Sequence, residues 1–112
     1  MPGIKTQMHF DGDGDNTAQA VKAAPGRIYA MEVSNPNTAN AFIQLFDALA
    51  ANVTVGTTTP KQSYIVPASG AMDKSFADSP LEFGVGITYA CTTTATGSTD
   101  PTTGLVVNIQ YL

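Results

Sequence analysis

Hydrophobic and polar residues alternate along most of this chain, in short runs that turn-forming residues separate. Residues 27–34 show the pattern clearly, because Tyr29, Met31 and Val33 occupy one set of alternate positions. Residues 40–47 carry apolar side chains at both sets of positions. Since the side chains of a strand point alternately to its two faces, both runs predict β-strands, and the second predicts a central strand covered on both faces.

Six further runs complete the predicted set of strands, and clusters of Gly, Pro, Asn and Asp separate them. They cover residues 19–23, 62–66, 73–77, 81–83, 86–94 and 105–112. About seven or eight short strands in 112 residues predict an all-β fold, a single-domain antiparallel β-sandwich of jelly-roll-like form. The last two strands are expected to pair antiparallel around a loop at residues 95–104.

The N-terminal segment differs from the rest because it ends in an acidic, glycine-rich run, Asp11-Gly12-Asp13-Gly14-Asp15-Asn16. We predict a flexible N-terminal arm and loop over residues 1–17 and the β-sandwich domain over residues 18–112. An edge strand near residues 19–23 or 105–112, or the arm itself, is expected to take part in association, because edge strands offer unpaired backbone groups.

The composition narrows the classes of partner. Only 12% of residues are charged, about half the share of an average soluble domain, and such a neutral surface favours a subunit of an assembly. The formal net charge of −4 has the wrong sign for binding phosphates, so no nucleic-acid partner is expected. No run of about 20 apolar residues occurs, so no membrane association is expected.

The reactive side chains do not form a recognisable catalytic set. His9 is the one histidine and Cys91 the one cysteine, so neither a nucleophile–base pair nor a zinc ligand set can be assembled from sequence. Cys91 shares its strand face with Ile87 and Tyr89, which is typical of a small buried hydrophobic residue. We therefore expect no enzymatic activity, no cofactor and no small-molecule substrate.

One run of residues could bind a cation. Asp11, Asp13 and Asp15 alternate in a glycine-rich loop, which is how calcium loops of the EF-hand type begin. The sixth position of that pattern should be Gly and is Asn16, and the twelfth should be Glu and is Lys22. Two interpretations stay open: a flexible acidic turn, or a weak metal site completed by ligands from elsewhere.

The order of several short motifs resembles that of a group of small tailed-phage virion proteins. Members of this group have a glycine-led strand, an Asn-rich turn, a strand ending in a motif like LYD, and a VGTxxP connection. The corresponding segments here are PGRIY at 25–29, SNPN at 34–37, NAFIQLFD at 40–47, VGTTTP at 55–60, YIVPA at 64–68 and LEFGVGI at 81–87. The likeness extends from Ala18 to Leu112.

The resemblance implies a non-enzymatic virion structural protein, a capsid decoration or cement protein that binds and stabilises the outer surface of an assembled phage capsid. Its implied partners are the major capsid protein and further copies of itself, with a homotrimer favoured. The implied location is the capsid surface, after synthesis in the host cytoplasm. The family offers no catalytic residues to transfer.

Two functions from other classes are also compatible with a β-sandwich. One is a carbohydrate- or host-receptor-binding module of a virion tail or head fibre, which would normally present a cluster of exposed aromatic residues. Here Trp is absent, and most Tyr and Phe residues lie inside strand patterns. The other is a cupin-type metal enzyme, which needs several His ligands where this chain has one.

Overall fold

The computed structural model describes residues 5–112 and folds them into two antiparallel sheets. Sheet I has the strand order β1-β9-β3-β6, with β7 also paired to β3, and sheet II has the order β2-β8-β4-β5. The nine strands in this range are β1 Gln7–Gly14, β2 Gln19–Lys22, β3 Gly26–Asn35, β4 Ala41–Asp47, β5 Gln62–Val66, β6 Gly70–Ser75, β7 Leu81–Phe83, β8 Ile87–Thr92 and β9 Leu105–Tyr111. The predicted all-β sandwich is confirmed, with one short 3-10 helix at Ala50–Asn52.

The hydrophobic core lies between the two sheets. Sheet I contributes the inward side chains of β3 and β9, and sheet II contributes those of β4 and β8. The fully buried members include Ile28, Met31, Val33, Leu105, Val107 and Ile109 from sheet I and Ile43, Leu45, Ile87, Tyr89 and Cys91 from sheet II. Cys91 is a buried free thiol, as its place in the strand pattern predicts.

Strand β3 departs from strict alternation at Tyr29. Its register with β9 shifts between Ile28 and Ala30, so one extra residue stands on β3 at this point. A β-bulge of this kind reverses the direction of the side chains beyond it. Ile28 therefore shares the core with Met31 and Val33, whereas uninterrupted alternation would have placed Tyr29 there.

The outer face of sheet II is covered, as the two-sided apolar pattern of β4 predicts. The Gln44 amide donates hydrogen bonds to Thr92 Oγ1 at 2.7 Å and to the Gly97 carbonyl at 3.0 Å. The Thr88 hydroxyl donates to the carbonyl of Ala48 at 2.7 Å. The loops at residues 48–61 and 93–104 thus fold over the outer surface of β4 and β8, and every residue of β8 is buried.

The expected pairing of the last two strands is wrong. Strand β8 pairs with β2 and β4 in sheet II, and β9 pairs with β1 and β3 in sheet I. The connection at residues 93–104 folds back on itself, since the Thr93 N–H donates to the Thr99 carbonyl, and then crosses to the other sheet. Because β9 lies between two neighbours, it is not the available edge that its position at the end of the sequence suggested.

The expected flexible arm is also wrong over residues 7–14. Gln7–Gly14 forms β1, which pairs with β9 from Gln7↔Tyr111 to Gly14↔Leu105. The acidic run suggested a loop, but the backbone of Met8–Asp11 finds a long-range partner, and only the part after Asp11 bulges. Residues 1–4 of the predicted arm lie outside the described residues.

Candidate interaction surface

The outer face of sheet I, unlike that of sheet II, is exposed in the described part of the chain. We call it the open face. In the registers of β1, β9, β3 and β6, cross-strand partners form rows across it: Met8, Gln110, Ala30 and Ser75 in one row, and Phe10, Asn108, Glu32 and Asp73 in the next. The open face is therefore a broad surface of small, amide and acidic side chains with two large apolar groups at its β1 border.

Those two apolar groups, Met8 and Phe10, are the most exposed large hydrophobic side chains in the described residues. Met8 is 72% exposed and Phe10 is 69% exposed. The Phe10 ring lies along the strand toward Gly12, whose ideal Cβ position would be 3.5 Å from the ring. Both side chains border a shallow groove of about 310 Å³ that Ala30, Asn108 and other residues of the open face complete.

Two carboxylates lie directly opposite one another on adjacent strands, at the border of this groove away from β1. Glu32 of β3 pairs with Asp73 of β6, and both side chains are exposed. Like charges at directly opposed positions of an antiparallel pair are destabilising. The groove therefore combines an apolar border at β1 with a negative border at β3 and β6, and a cationic group placed above Glu32 and Asp73 would relieve their repulsion.

The opposite side of β1 faces sheet II and holds a hydrogen-bonded network. The Tyr89 hydroxyl donates to Asp11 Oδ2 at 2.6 Å, and His9 Nε2 lies 2.9 Å from the same hydroxyl. Because a phenol has one proton and gives it to the carboxylate, the His9 ring must donate from Nε2. The His9 and Tyr89 rings also meet edge to face, with centroids 5.4 Å apart.

Burial sets the protonation of this network. It lowers the pKa of His9 below its ordinary value, and the nearby charge of Asp11 opposes that shift only in part. Burial, followed by the hydrogen bond to Asp11, raises the pKa of Tyr89 well above its ordinary range. Burial also raises the pKa of the Cys91 thiol to about 12. At neutral pH the His9 imidazole and the Tyr89 phenol are thus uncharged, and the network fastens β1 to sheet II.

The three candidate metal ligands do not converge. Asp11 accepts hydrogen bonds from Tyr89 and from the backbone of Asp13, and Asp15 accepts one from the Thr17 backbone at 2.9 Å. Among residues 5–112, no three acidic, histidine or cysteine side chains lie close enough together to hold a metal ion. The acidic run is built into strand β1 and the bend that follows it.

A second carboxylate organises a loop at the far end of sheet II. Asp47 accepts backbone hydrogen bonds from Gly84 at 3.0 Å, Val85 at 2.8 Å and Gly86 at 3.4 Å. Burial alone would raise the pKa of Asp47, but these three donors, assisted by the charge of Lys61, lower it below its ordinary value. The three N–H groups form an anion-binding turn that this side chain already occupies.

Sequence reasoning did not single out Met8 and Phe10. The alternation of a strand was present, because Met8 and Phe10 alternate with His9 and Asp11. In most strands, however, the apolar side chains face the core and the polar ones face solvent. Here the apolar pair faces outward and the polar pair faces inward to reach Tyr89. Without the partner at residue 89, an alternation of this kind indicates only a polar segment.

No helix in the described part of the chain has the length and apolar character needed to cross a membrane. Comparisons of the chain with family models, with curated proteins and with solved structures give no match, so the resemblance to phage virion proteins stays a prediction from the sequence.

Proposed function

We propose that this chain is a non-enzymatic virion structural protein that binds the outside of an assembled phage capsid as a decoration or cement protein. The sequence resemblance supports the virion role, and the open face supports binding to a protein surface. The proposed location is the capsid surface, and the proposed partner is the major capsid protein. A trimer, which the resemblance implies, is one possible arrangement of the copies on that surface.

The observation that carries the proposal is the contrast between the two outer faces. Loops cover the outer face of sheet II, whereas the open face of sheet I exposes Met8 and Phe10 in the described residues. Burying a Met or Phe side chain contributes about 1.5–3 kcal/mol. A sheet face that leaves two such groups in water, beside a groove, is typical of a protein–protein contact.

The charges of the open face indicate the chemistry of the partner. Glu32 and Asp73 repel one another until a cationic group lies over them. The partner surface should therefore present Lys or Arg next to an apolar projection that fits between Met8 and the centre of the sheet. Many contacts of this moderate kind, repeated over a shell, stabilise it by multivalency rather than by one deep pocket.

Purified virions of the phage whose genome encodes this chain test the proposal. We expect mass spectrometry to find the chain at a copy number comparable to that of the capsid protein. Particles stripped of the chain should rebind the purified wild-type protein, as measured by co-sedimentation. A Met8→Ser/Phe10→Ser double variant should lose at least about tenfold in affinity, since it removes both apolar anchors.

The matched control removes two exposed apolar side chains from other surfaces. Ile65 of β5 is 49% exposed and Val85 is 51% exposed, so an Ile65→Ser/Val85→Ser variant should rebind particles as the wild type does. Absence of the chain from particles, or equal rebinding by both double variants, would contradict the proposal. Glycan-array binding that depends on Phe10, without particle binding, would support the sugar-binding alternative instead.

A further inference from the structure

The outer edge of β1 is available for pairing. Among the described residues, β1 pairs with β9 alone. Arg27 and Leu112 exchange two backbone hydrogen bonds, both 2.9 Å, so the Leu112 backbone faces β3. Backbone direction alternates along a strand, which turns the backbone of His9 toward β9. The N–H and C=O groups of Met8 and Phe10 consequently point away from the sheet, along its open edge.

We propose that this edge pairs antiparallel with β1 of a second copy of the chain, about a two-fold axis at His9, so that sheet I continues across two molecules. The proposal concerns the chain's own association and does not rest on binding to a capsid. In this register Met8 lies opposite Phe10 of the second copy, and each of these pairs exchanges two backbone hydrogen bonds. The two His9 residues lie opposite one another at the axis.

The sequence around His9 is complementary to its own reverse. Pairing at this axis sets Gln7 opposite Asp11 of the second copy. Each of the two apolar residues, Met8 and Phe10, thus meets the other, and the acidic Asp11 meets an amide. Contacts between side chains at directly opposite positions of paired strands are stabilising.

Neighbouring registers lose this match. An axis at Met8 would place Phe10 opposite Thr6, and an axis at Phe10 would place Met8 opposite Gly12. Both leave one large apolar side chain without an apolar partner. The axis at His9 is the one that pairs both.

The bulge in β1 limits how far the pairing can extend. The register of β1 with β9 shifts between Asp11 and Gly14, and a bulge ends regular pairing at an edge. The contact is therefore short and isologous, and it uses up the same edge on both copies, which gives a closed dimer rather than a fibre. It would also join two open faces, with Met8 and Phe10 of both copies forming one apolar patch at their centre.

Sedimentation velocity of the full chain tests the association. We expect a reversible monomer–dimer equilibrium between about 1 and 300 µM, the range of weak association by a small interface. Phe10→Lys should weaken the dimer by about tenfold or more, because a lysine on an edge strand opposes pairing. An Ile65→Lys variant, which alters an exposed position of β5, should dimerise as the wild type does.

Cysteine cross-linking tests the register. Residues facing one another at the axis have Cβ atoms about 4.5–5.5 Å apart, close enough for a disulfide after small adjustments. His9→Cys should therefore form a covalent dimer on mild oxidation. Gln7→Cys should not, because its two copies would be about 13 Å apart, roughly four residues at about 3.3 Å each. Cys91 is buried and remains in every variant as a common background.

Three outcomes would overturn the proposal: a monomer at about 300 µM, a trimer without dimers, or a dimer in which His9→Cys and Gln7→Cys cross-link equally. Each result is independent of particle binding. A chain that dimerises at β1 but never binds capsids would retain this inference while contradicting the decoration role, and the reverse combination would contradict only this inference.

Discussion

The hydroxyl of Tyr89 in β8 donates a 2.6 Å hydrogen bond to the carboxylate of Asp11 in β1, 78 positions away in the chain. It joins the buried middle of sheet II to the outermost strand of sheet I. Together with His9 on the same hydroxyl, it explains how a strand rich in Asp and Gly holds its place in a sandwich. The same contact turns Met8 and Phe10 outward, so the network inside the molecule determines the surface outside it.

Tyr89→Phe tests this connection. The substitution keeps the ring in the core but removes both hydrogen bonds, so the free energy of unfolding should fall by about 1–2 kcal/mol. The loss should be local, since β1 pairs on one side only among the residues that the structure describes. Hydrogen exchange should accelerate at the backbone amides of β1 more than at those of β4.

Tyr111→Phe is the matched control. Its hydroxyl also bonds a β1 side chain, Gln7 Oε1 at 3.1 Å, but the contact is exposed to solvent. Exposed neutral hydrogen bonds contribute little net stability, so this variant should unfold within about 0.5 kcal/mol of the wild type. Equal losses in the two variants would contradict a special role for the buried network.

The sequence predicted those parts of the fold that follow from local alternation. The run at residues 62–66 became β5 with the same bounds, and β4 proved to be the central, doubly covered strand that its two apolar faces indicated. Alternation also placed Cys91 in the core. These features depend on neighbouring residues in the chain, which a single sequence contains.

The features of the fold that the sequence did not predict depend on contacts between residues far apart in the chain. Strand β1 forms because Asp11 accepts a hydrogen bond from Tyr89 and because its backbone pairs with β9. The bulge at Tyr29 depends on the register of β3 with β9. Adjacent strands pair in most proteins, which favoured a β8–β9 hairpin. Here the connection instead covers sheet II through its contact with Gln44. The open face could not be anticipated for the same reason.

The unfolding free energy should depend on pH through His9, which faces Tyr89 and Asp11. Burial keeps its pKa in the folded protein below the ordinary value of 6.5 that it has when unfolded. At a pH between the folded and the unfolded pKa of His9, the unfolded chain binds more protons than the folded protein. The contribution of His9 to the unfolding free energy is therefore complete above the unfolded pKa and decreases as the pH falls from there to the folded pKa. Denaturant titrations from about pH 8 to pH 5 should show this decline.

His9→Gln provides the comparison, because an amide N–H can replace the imidazole donor without titrating. The variant should have a smaller decline in unfolding free energy over the same pH range. An identical decline in both proteins would show that other groups cause it. Below about pH 5 the carboxylates begin to titrate, so the comparison is made above that value.

Gly14 has no room for a side chain. It is buried at the end of β1, and an ideal Cβ there would lie 2.9 Å from Cys91 Sγ and 2.9 Å from Val107 Cγ2. Gly14→Ala should therefore lower the free energy of unfolding by about 1–3 kcal/mol through overpacking. A Gly14→Ala/Cys91→Ala double variant should lose less than the sum of the single losses, because it removes one of the two clashes.

Gly84→Ala is the control for loss of glycine itself. At Gly84 the nearest atom to an added Cβ is Asp47 Oδ2, at an ordinary contact distance of 3.8 Å. Its stability should stay within about 0.5 kcal/mol of the wild type, as expected for a surface substitution without a clash. A Gly14→Ala protein as stable as Gly84→Ala would contradict the packing at the end of β1.

Asp47→Asn should weaken the loop at residues 84–86. At neutral pH the change removes the charge from three backbone hydrogen bonds, and we expect a loss of about 1–2 kcal/mol, discounted for solvent screening. Because the folded pKa of Asp47 lies below its ordinary value of 3.8, its charge stabilises the fold above that pH. The contribution disappears as pH falls through the lower, folded value.

The difference between wild type and Asp47→Asn, measured by denaturant titration, should therefore be largest at neutral pH and shrink in acid. Asp73→Asn is the matched control, since Asp73 lies opposite Glu32 on the open face. Removing its charge relieves a repulsion, so this variant should be as stable as the wild type or slightly more so. A loss in Asp47→Asn that persists unchanged at about pH 2 would show that the shape of the side chain, rather than its charge, holds the loop.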